Sequence, residues 1–326
     1  MISGLVSVIL PVHNRPGQLR EAVASALGQH YPEVEILIVD DGSTDETPEV
    51  ARDLAAENPA HIRVLTQQNA GPGAAREAGR LQARGEFIQY LDSDDLLLPD
   101  KFSMQVAGLI ANPECVASYG PTIYRDERGR EDFPMRRTGE RIPTLFPGML
   151  VERWWATVSP LYRTSALERI GSWLPLRLNE DWEYDCRLAA LGAPLHWCED
   201  SIAVMRGHSG ARLSRTRRLD PVALADQAVA LEHILTSARR GRVPEDSPEF
   251  QHFARRLFLL CRNCAAAGLD VAARRLYQFS GEALRDPRSL KRHRIFGRVA
   301  RGIGWRGAGV VSLGAERFMT SGISTQ

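Results

Sequence analysis

The sequence predicts an α/β protein: a mixed, mainly parallel sheet flanked by helices, followed by a helical C-terminal region. Three observations predict it. Short apolar, β-branched runs at 5–12, 34–39, 62–66 and 86–91 alternate with helical patterns at 16–29, 45–57 and 72–84. The links between them are short, which favours a parallel sheet covered on both faces. Beyond about residue 220 only helical periodicity remains.

Each element has its own signal. Met1-Ile2-Ser3-Gly4 runs almost at once into the first strand, and Ser43 with Glu46 has the spacing of a capping box opening the second helix. Pro99 opens a helix to about 111, with Asp95 and Asp100 placed to cap it. A strand with a hairpin is expected over 115–125. The charged stretch 126–147, with Pro134, Pro143 and Pro147, reads as a mobile loop. A strand near 157–162 and a helix at 180–192 complete the mixed half of the sheet. Leu224, Ala228, Leu231 and Leu235 keep one helix face apolar, as do Phe253, Leu257, Leu260 and Cys264, and a third helix is expected over 269–285. No internal repeat is visible.

Bulk properties exclude several classes. A chain of 326 residues with net charge +1, 25% charged and 44% hydrophobic residues has the composition of an ordinary globular protein with no call for a polyanion partner. No apolar run reaches the about 18 residues of a spanning helix. A secretory signal is absent from the N-terminal reading, so the cytoplasm is the expected location. The five scattered cysteines do not form a disulfide framework, and Cys261-x-x-Cys264 lacks a second ligand pair. Buried helical thiols are the expectation there.

Chemistry gathers at the predicted carboxyl ends of strands, where open α/β sheets bind ligands. Asp92-Ser93-Asp94 follows a strand, so its alternate carboxylates can face one ligand and suit Mn²⁺ or Mg²⁺. A solvated acidic loop is the bland alternative. Asp40-Asp41-Gly42-Ser43 can accept from a base N–H or a ribose hydroxyl, or can simply turn and cap. Asn69-Ala70-Gly71-Pro72-Gly73 leads to Arg76; its glycines permit close approach of a planar base, but it is neither a Walker loop nor G-x-G-x-x-G. Glu180-Asp181 opens a helix, where the dipole keeps a carboxylate ionised and able to take a hydroxyl proton; dipole complementarity alone is the other reading. Arg206-Gly207-His208 follows an apolar strand and offers a metal ligand and a phosphate-binding guanidinium, or a structural histidine beside a basic surface.

Taken in order from Val6 to about Ser214, these residues resemble the family 2 glycosyltransferases. The resemblance implies the GT-A fold and inverting transfer of a sugar from a nucleotide donor, UDP first. It implies that Pro11, His13 and Asn14 touch the nucleoside, that Asp41 meets the base with Asn69, Gly73 and Arg76 nearby, and that Asp92 and Ser93 hold the ribose side. Asp94, with Asp92 and His208, would bind Mn²⁺ or Mg²⁺; Arg206 would face the diphosphate; Asp181 would be the general base. The transition state would have oxocarbenium character. His13 stands where Tyr is usual and Glu77 where Asn is common. On this reading residues 1–215 form the transferase domain, with a nucleotide-binding half (1–98) and an acceptor half (99–215), and 216–326 form the helical region.

Between Arg285 and Arg306 eight Lys or Arg face one acid, Asp286, with apolar residues interspersed. Such a segment could lie on an anionic membrane surface; a solvated basic helix is the competing reading, and nucleic acid is not expected. The membrane reading suits a glycan, glycolipid or protein acceptor in cell-surface polysaccharide or glycolipid synthesis. Two other functions stay open: a nucleotide-sugar-binding protein without turnover, and a nucleotidyltransferase, for which Pro11-Val12-His13-Asn14-Arg15-Pro16 is a poor phosphate loop.

Overall fold

The apolar runs become strands wherever both faces of the sheet are covered. The computed structural model describes residues 1–207 and 219–321, with side chains through residue 314. Strands β1 (Ile2–Val12), β2 (Val34–Asp40), β3 (Ile62–Thr66) and β4 (Gly85–Tyr90) pair in parallel in the order β4-β1-β2-β3. From Leu5 to Val12 every residue of β1 is buried, as expected of a central parallel strand. Helices α1 (Pro16–Leu27), α2 (Thr47–Glu57) and α3 (Pro72–Gln82) connect them, each with Pro in its first positions, where a missing N–H costs nothing. Pro11 is tolerated because Ile9 closes the ladder toward β4 by accepting from Leu91 N. Two residues on, Pro11 faces the same side with no partner strand left.

The second half adds β5 (Leu96–Leu97), α4 (Lys101–Ala111), β6 (Ala117–Tyr119), β7 (Thr122–Arg125), β8 (Glu131–Asp132), β9 (Leu161–Arg163), α5 (Thr164–Ile170), α6 (Glu180–Ala189), β10 (Leu195–Trp197) and β11 (Ala203–Arg206). Among the described residues the main sheet runs β10-β6-β9-β4-β1-β2-β3, mixed because β9 is antiparallel to both neighbours, and a smaller sheet runs β5-β11-β7-β8.

Several expectations are corrected. The segment 115–125 is not a hairpin: β6 and β7 part at Gly120-Pro121 and enter different sheets, and the hairpin joins β7 to β8, with Tyr124 opposite Asp132. The stretch 126–147 is irregular apart from β8, as a loop should be, but Met135, Thr138, Ile142 and Leu145 bury themselves between its charges. The capping box does not form, since Ser43 Oγ accepts from Asn14 N at 3.0 Å and Asp45 accepts from Thr47 N at 2.9 Å. Asp95 and Asp100 do not cap α4; Asp95 accepts from Arg206 N at 3.0 Å and Asp100 pairs with His30 at 2.8 Å. Helix α5 carried no signal strong enough to be expected.

The chain divides into two compact units, Met1–Leu145 with Arg153–Gly210, and Phe146–Glu152 with Ala211–Gln326. The boundary expected at 215/216 lies outside the described residues. The second unit holds α7 (Pro221–Arg240), α8 (Pro248–Ala266), α9 (Asp270–Ala283) and α10 (Pro287–Ser321). Asp220 caps α7 by accepting from Ala223 N at 2.9 Å, and Ser247 caps α8 through Phe250 N at 3.3 Å. Leu224, Ala228, Leu231 and Leu235 of α7 are buried, as are Phe253, Leu257, Leu260 and Cys264 of α8. All five cysteines are free and buried, and burial pushes the Cys264 thiol up to about 12. No described helix is long and apolar enough to cross a membrane.

Candidate active site

Three carboxyl-end segments and one helix start build this site within the first unit. After β2, Asp41 is held at 5% exposure. Its Oδ1 accepts from Gln67 Nε2 and Ala70 N, both at 2.8 Å, and its Oδ2 from Gly71 N at 2.9 Å. Asp41 thereby ties the end of β2 to the loop that starts α3. Gly42 makes this approach possible: its φ is +71°, and a Cβ there would lie 2.7 Å from Asn69 N. Exposed His13 places Nδ1 3.0 Å from the Asp41 carbonyl, and the Asn69 amide lies 3.2 Å from the same ring nitrogen. Asn14, at φ +52°, clasps Thr44 by accepting from its N at 2.8 Å.

The glycines of the 69–73 loop serve a different purpose from the one expected. A Cβ on Gly73 would stand 2.1 Å from the Leu174 carbonyl, and one on Gly71 would stand 2.9 Å from Arg177 Cγ. The space they leave is taken by the chain itself, not kept for a base. The segment 174–177 is therefore laid across the start of α3.

Arg76 is the hub. Its guanidinium, 4% exposed, meets Asp92 Oδ1 at 2.6 Å and Glu180 Oε1 at 2.7 Å, with the Trp173 ring 5.0 Å away. Trp173 also stacks on Tyr184 at 3.9 Å. Glu77, the departure noted in the sequence, secures this arrangement by accepting from Trp173 N at 3.0 Å and pairing with Arg80 at 2.7 Å. So the end of β4 and the start of α6 share one buried cation.

Asp181 sits beside that cation. Its Oδ2 is 2.6 Å from Arg153, whose Nε reaches Asp185 at 2.7 Å, one turn further along α6. Asp185 is 1% exposed and also accepts from Trp155 Nε1 at 3.0 Å and Tyr162 OH at 2.7 Å. Asp181 keeps 30% of its side-chain surface open. Burial would raise its pKa, but Arg153 and Arg76 outweigh that and hold it below the usual carboxylate range. Glu180 goes the other way: burial, with the charge of Asp181 added, pushes it up to about 7 against the pull of Arg76. The two neighbours are thus driven apart in protonation, which is how adjacent carboxyls take different roles.

The remaining D-x-D residues lie on the turn after β4. Ser93 is buried, so its side chain is not presented to a ligand, while Asp92 and Asp94 stay partly open. Asp94 Oδ2 is 2.6 Å from Arg15. Arg206 donates Nε to the Asp94 carbonyl and pairs with Glu21. A cleft of about 430 Å³ opens here, lined by Gly17, Gln18, Glu21, Asp94, Arg206 and Gly207. Asp95 is held well above its ordinary pKa by burial and by the charges of Asp94 and Asp92. His208 lies outside the described residues. Among those described, no three His, Cys, Asp or Glu side chains cluster closely enough to hold a metal ion by themselves.

The structure thus brings Asp92, Glu180 and Asp181 around Arg76, and Asp94 together with Arg15 and Arg206. Asp41 joins them only through the 67–71 loop. Sequence reasoning missed Arg15, Arg153, Trp173, Asp185 and the distinct state of Glu180. Only Asp185 carried a signal, its i,i+4 spacing from Asp181.

Residues 7–166 match the family model described as glycosyl transferase family 2. The chain belongs to glycosyltransferase family 2. An uncharacterized glycosyltransferase of Haemophilus influenzae is 34% identical over 127 residues, covering 39% of this chain and 50% of that protein. This family 2 chain spans about half, or less, of the length of the curated relatives it matches. Among solved structures, S. aureus TarS in complex with UDP-GlcNAc aligns with a TM-score of 0.69 at 20% identity, covering 96% of this chain and 92% of that one. The mannosyltransferase PcManGT of Pyrobaculum calidifontis, in complex with GDP-Man and Mn²⁺, aligns at 0.51 and 17% identity, covering 94% and 86%. These likenesses are of fold, and the fold is GT-A.

Proposed function

We propose that this chain transfers a sugar from a nucleotide donor, with UDP as the carrier, to a hydroxyl of a glycan, glycolipid or protein acceptor, inverting the anomeric configuration. The observation that carries the proposal is the Arg76 bridge, which joins Asp92 at the end of β4 to Glu180 at the start of α6, beside Asp181. Three separate motifs thereby meet at one strand-end site, where open α/β sheets take nucleotides, and the 67–71 loop ties Asp41 to it. Family membership and fold neighbours crystallised with UDP-GlcNAc and GDP-Man support the donor class.

In the reaction, Asp181 takes the proton from the acceptor hydroxyl. The oxygen attacks the anomeric carbon from the face opposite the nucleotide, the bond to the diphosphate breaks, and its electron pair leaves with the phosphate. Asp181 suits the role because it is ionised, partly open and oriented by Arg153 and Trp182 N. Arg206, on the wall of the cleft, faces the region where the diphosphate would sit. Asp41 acts at one remove, by shaping the loop around the base.

The donor set fits a divalent cation. Asp94 and Asp92 offer hard oxygen ligands, and their charges already raise the proton affinity of neighbouring Asp95. Manganese or magnesium would be held by Asp94 with Asp92; His208 is the further candidate ligand from the sequence. Such an ion supplies charge compensation for the departing diphosphate.

Two measurements test the reading. A thermal-shift panel of UDP, dTDP and GDP sugars, with and without Mn²⁺, should show stabilisation by one donor. Asp181→Asn should abolish transfer while that shift survives. Unchanged transfer by Asp181→Asn removes the residue from its role, and no shift with any donor removes the function.

A further inference from the structure

The last helix carries a charge pattern that the transfer reaction does not use. From Pro287 to Gly314 the sequence contains no acidic residue. Within the first part of α10, Arg288, Lys291, Arg292, Arg294, Arg298 and Arg301 are all exposed. None of the six is ion-paired to a described carboxylate. Packing decides which face this is. His293, Phe296 and Ala300 are buried, with His293 stacked on Tyr277 at 3.8 Å and Phe296 against Phe258 at 5.6 Å. The opposite side is left to the cations.

Apolar groups stand among them. Ile295 is 48% exposed and Ile303 58%. At Gly304 the backbone leaves helical geometry, with φ +79° and ψ 164°, and the helix resumes beyond. Val310 and Val311 on the second part are 56% and 57% exposed. A run of cations with isolated aliphatic residues projecting between them is poorly matched to water. It matches an interface where phosphates lie in one plane and acyl chains just beneath. Nucleic acid would use the cations but has no place for four exposed aliphatic side chains.

We infer that the outer face of α10, cations and aliphatics together, docks on the surface of an anionic phospholipid bilayer. The inference stands on the helical unit alone and does not depend on the transferase reading. Binding is peripheral: the cations meet headgroup phosphates, and Ile295, Ile303, Val310 and Val311 enter the acyl boundary.

The test is flotation of the full chain with vesicles of phosphatidylcholine alone or mixed with phosphatidylglycerol. The chain should float with the mixed vesicles, remain below with the neutral ones, and be partly released by high salt. The triple variant Lys291→Glu, Arg294→Glu, Arg298→Glu changes only exposed side chains, and should bind mixed vesicles about a hundredfold more weakly. Ile295→Ser with Ile303→Ser should float at low salt but be released fully at high salt. Equal flotation with neutral vesicles overturns the inference. So does a triple variant that floats like the parent, or a parent that ignores vesicles yet retards single-stranded RNA.

Discussion

Replacing Glu180 with Gln tests the electrostatics at the centre of the site. Gln keeps the shape and can still accept from Arg76, so the perturbation is one titrating proton. Glu180 has its folded pKa raised from 4.5 to about 7 by burial and by Asp181. Between those values the folded state holds a proton that the unfolded state has lost. The stability this supplies is complete below about pH 4.5 and is lost as pH rises through about 7. At about 1.4 kcal/mol per pKa unit, the raised value is worth at most about 3 kcal/mol across that window. The assay is urea unfolding followed by tryptophan fluorescence, for which Trp173 and Trp182 lie beside the group, from about pH 5 to about pH 8. The parent should lose stability as pH rises, and Glu180→Gln should lose less, by about 3 kcal/mol or somewhat under. Subtracting the two curves removes the histidines and Lys101. Parallel curves would refute the reasoning and place Glu180 as an ordinary ion-pair partner of Arg76.

Other perturbations have equally definite outcomes. Gly73→Ala places a Cβ 2.1 Å from the Leu174 carbonyl and should cost about 1–3 kcal/mol, read as a lower melting temperature; Gly17→Ala, with nothing within 4 Å, should not. Lys101 is fully buried with its amine 2.7 Å from the Ser159 carbonyl, and burial lowers its pKa to about 7. Its folded state lacks a proton that the unfolded chain holds between about 7 and 10.5, so Lys101→Met should gain on the parent as pH falls through that range and level off below. Asp185→Asn strips the charge that orients Arg153 and should cost about 3 kcal/mol in denaturant unfolding, with transfer falling because the partner of Asp181 is loosened.

Much of the nucleotide half was legible because its physics is local. An apolar run of five or six residues between turn signals has little choice but to be a buried strand, and β2, β3 and β4 lie within one or two residues of their expected places. Proline at the helix starts and the apolar stripes of α7 and α8 are likewise one-dimensional signals. The D-x-D and Glu180-Asp181 motifs were visible as residue types at element ends. What each does there was not visible. Asp41 faces backbone N–H groups because the 67–71 loop folds over it, and Gly73 is small because Leu174 lies across it. The charged stretch 126–147 hid its buried anchors, since scattered Met, Thr, Ile and Leu carry no period.

Strand positions, helix faces and the family of the transferase region were thus determined by the amino-acid sequence itself, through periodicity, turn chemistry and the ordered acidic motifs, whereas the order of the strands was not. Tertiary structure alone decided that Arg76 lies between Asp92 and Glu180, 16 and 104 residues away along the chain, and that Arg153 lies between Asp181 and Asp185. The physical reason is that periodicity reports whether a side chain is buried, whereas the ionisation of a carboxyl depends on which charges reach it through space. Glu180 and Asp181 are adjacent in the chain and share Arg76, yet their proton affinities move in opposite directions because Arg153 also reaches Asp181 and because Glu180 is the more deeply buried of the two.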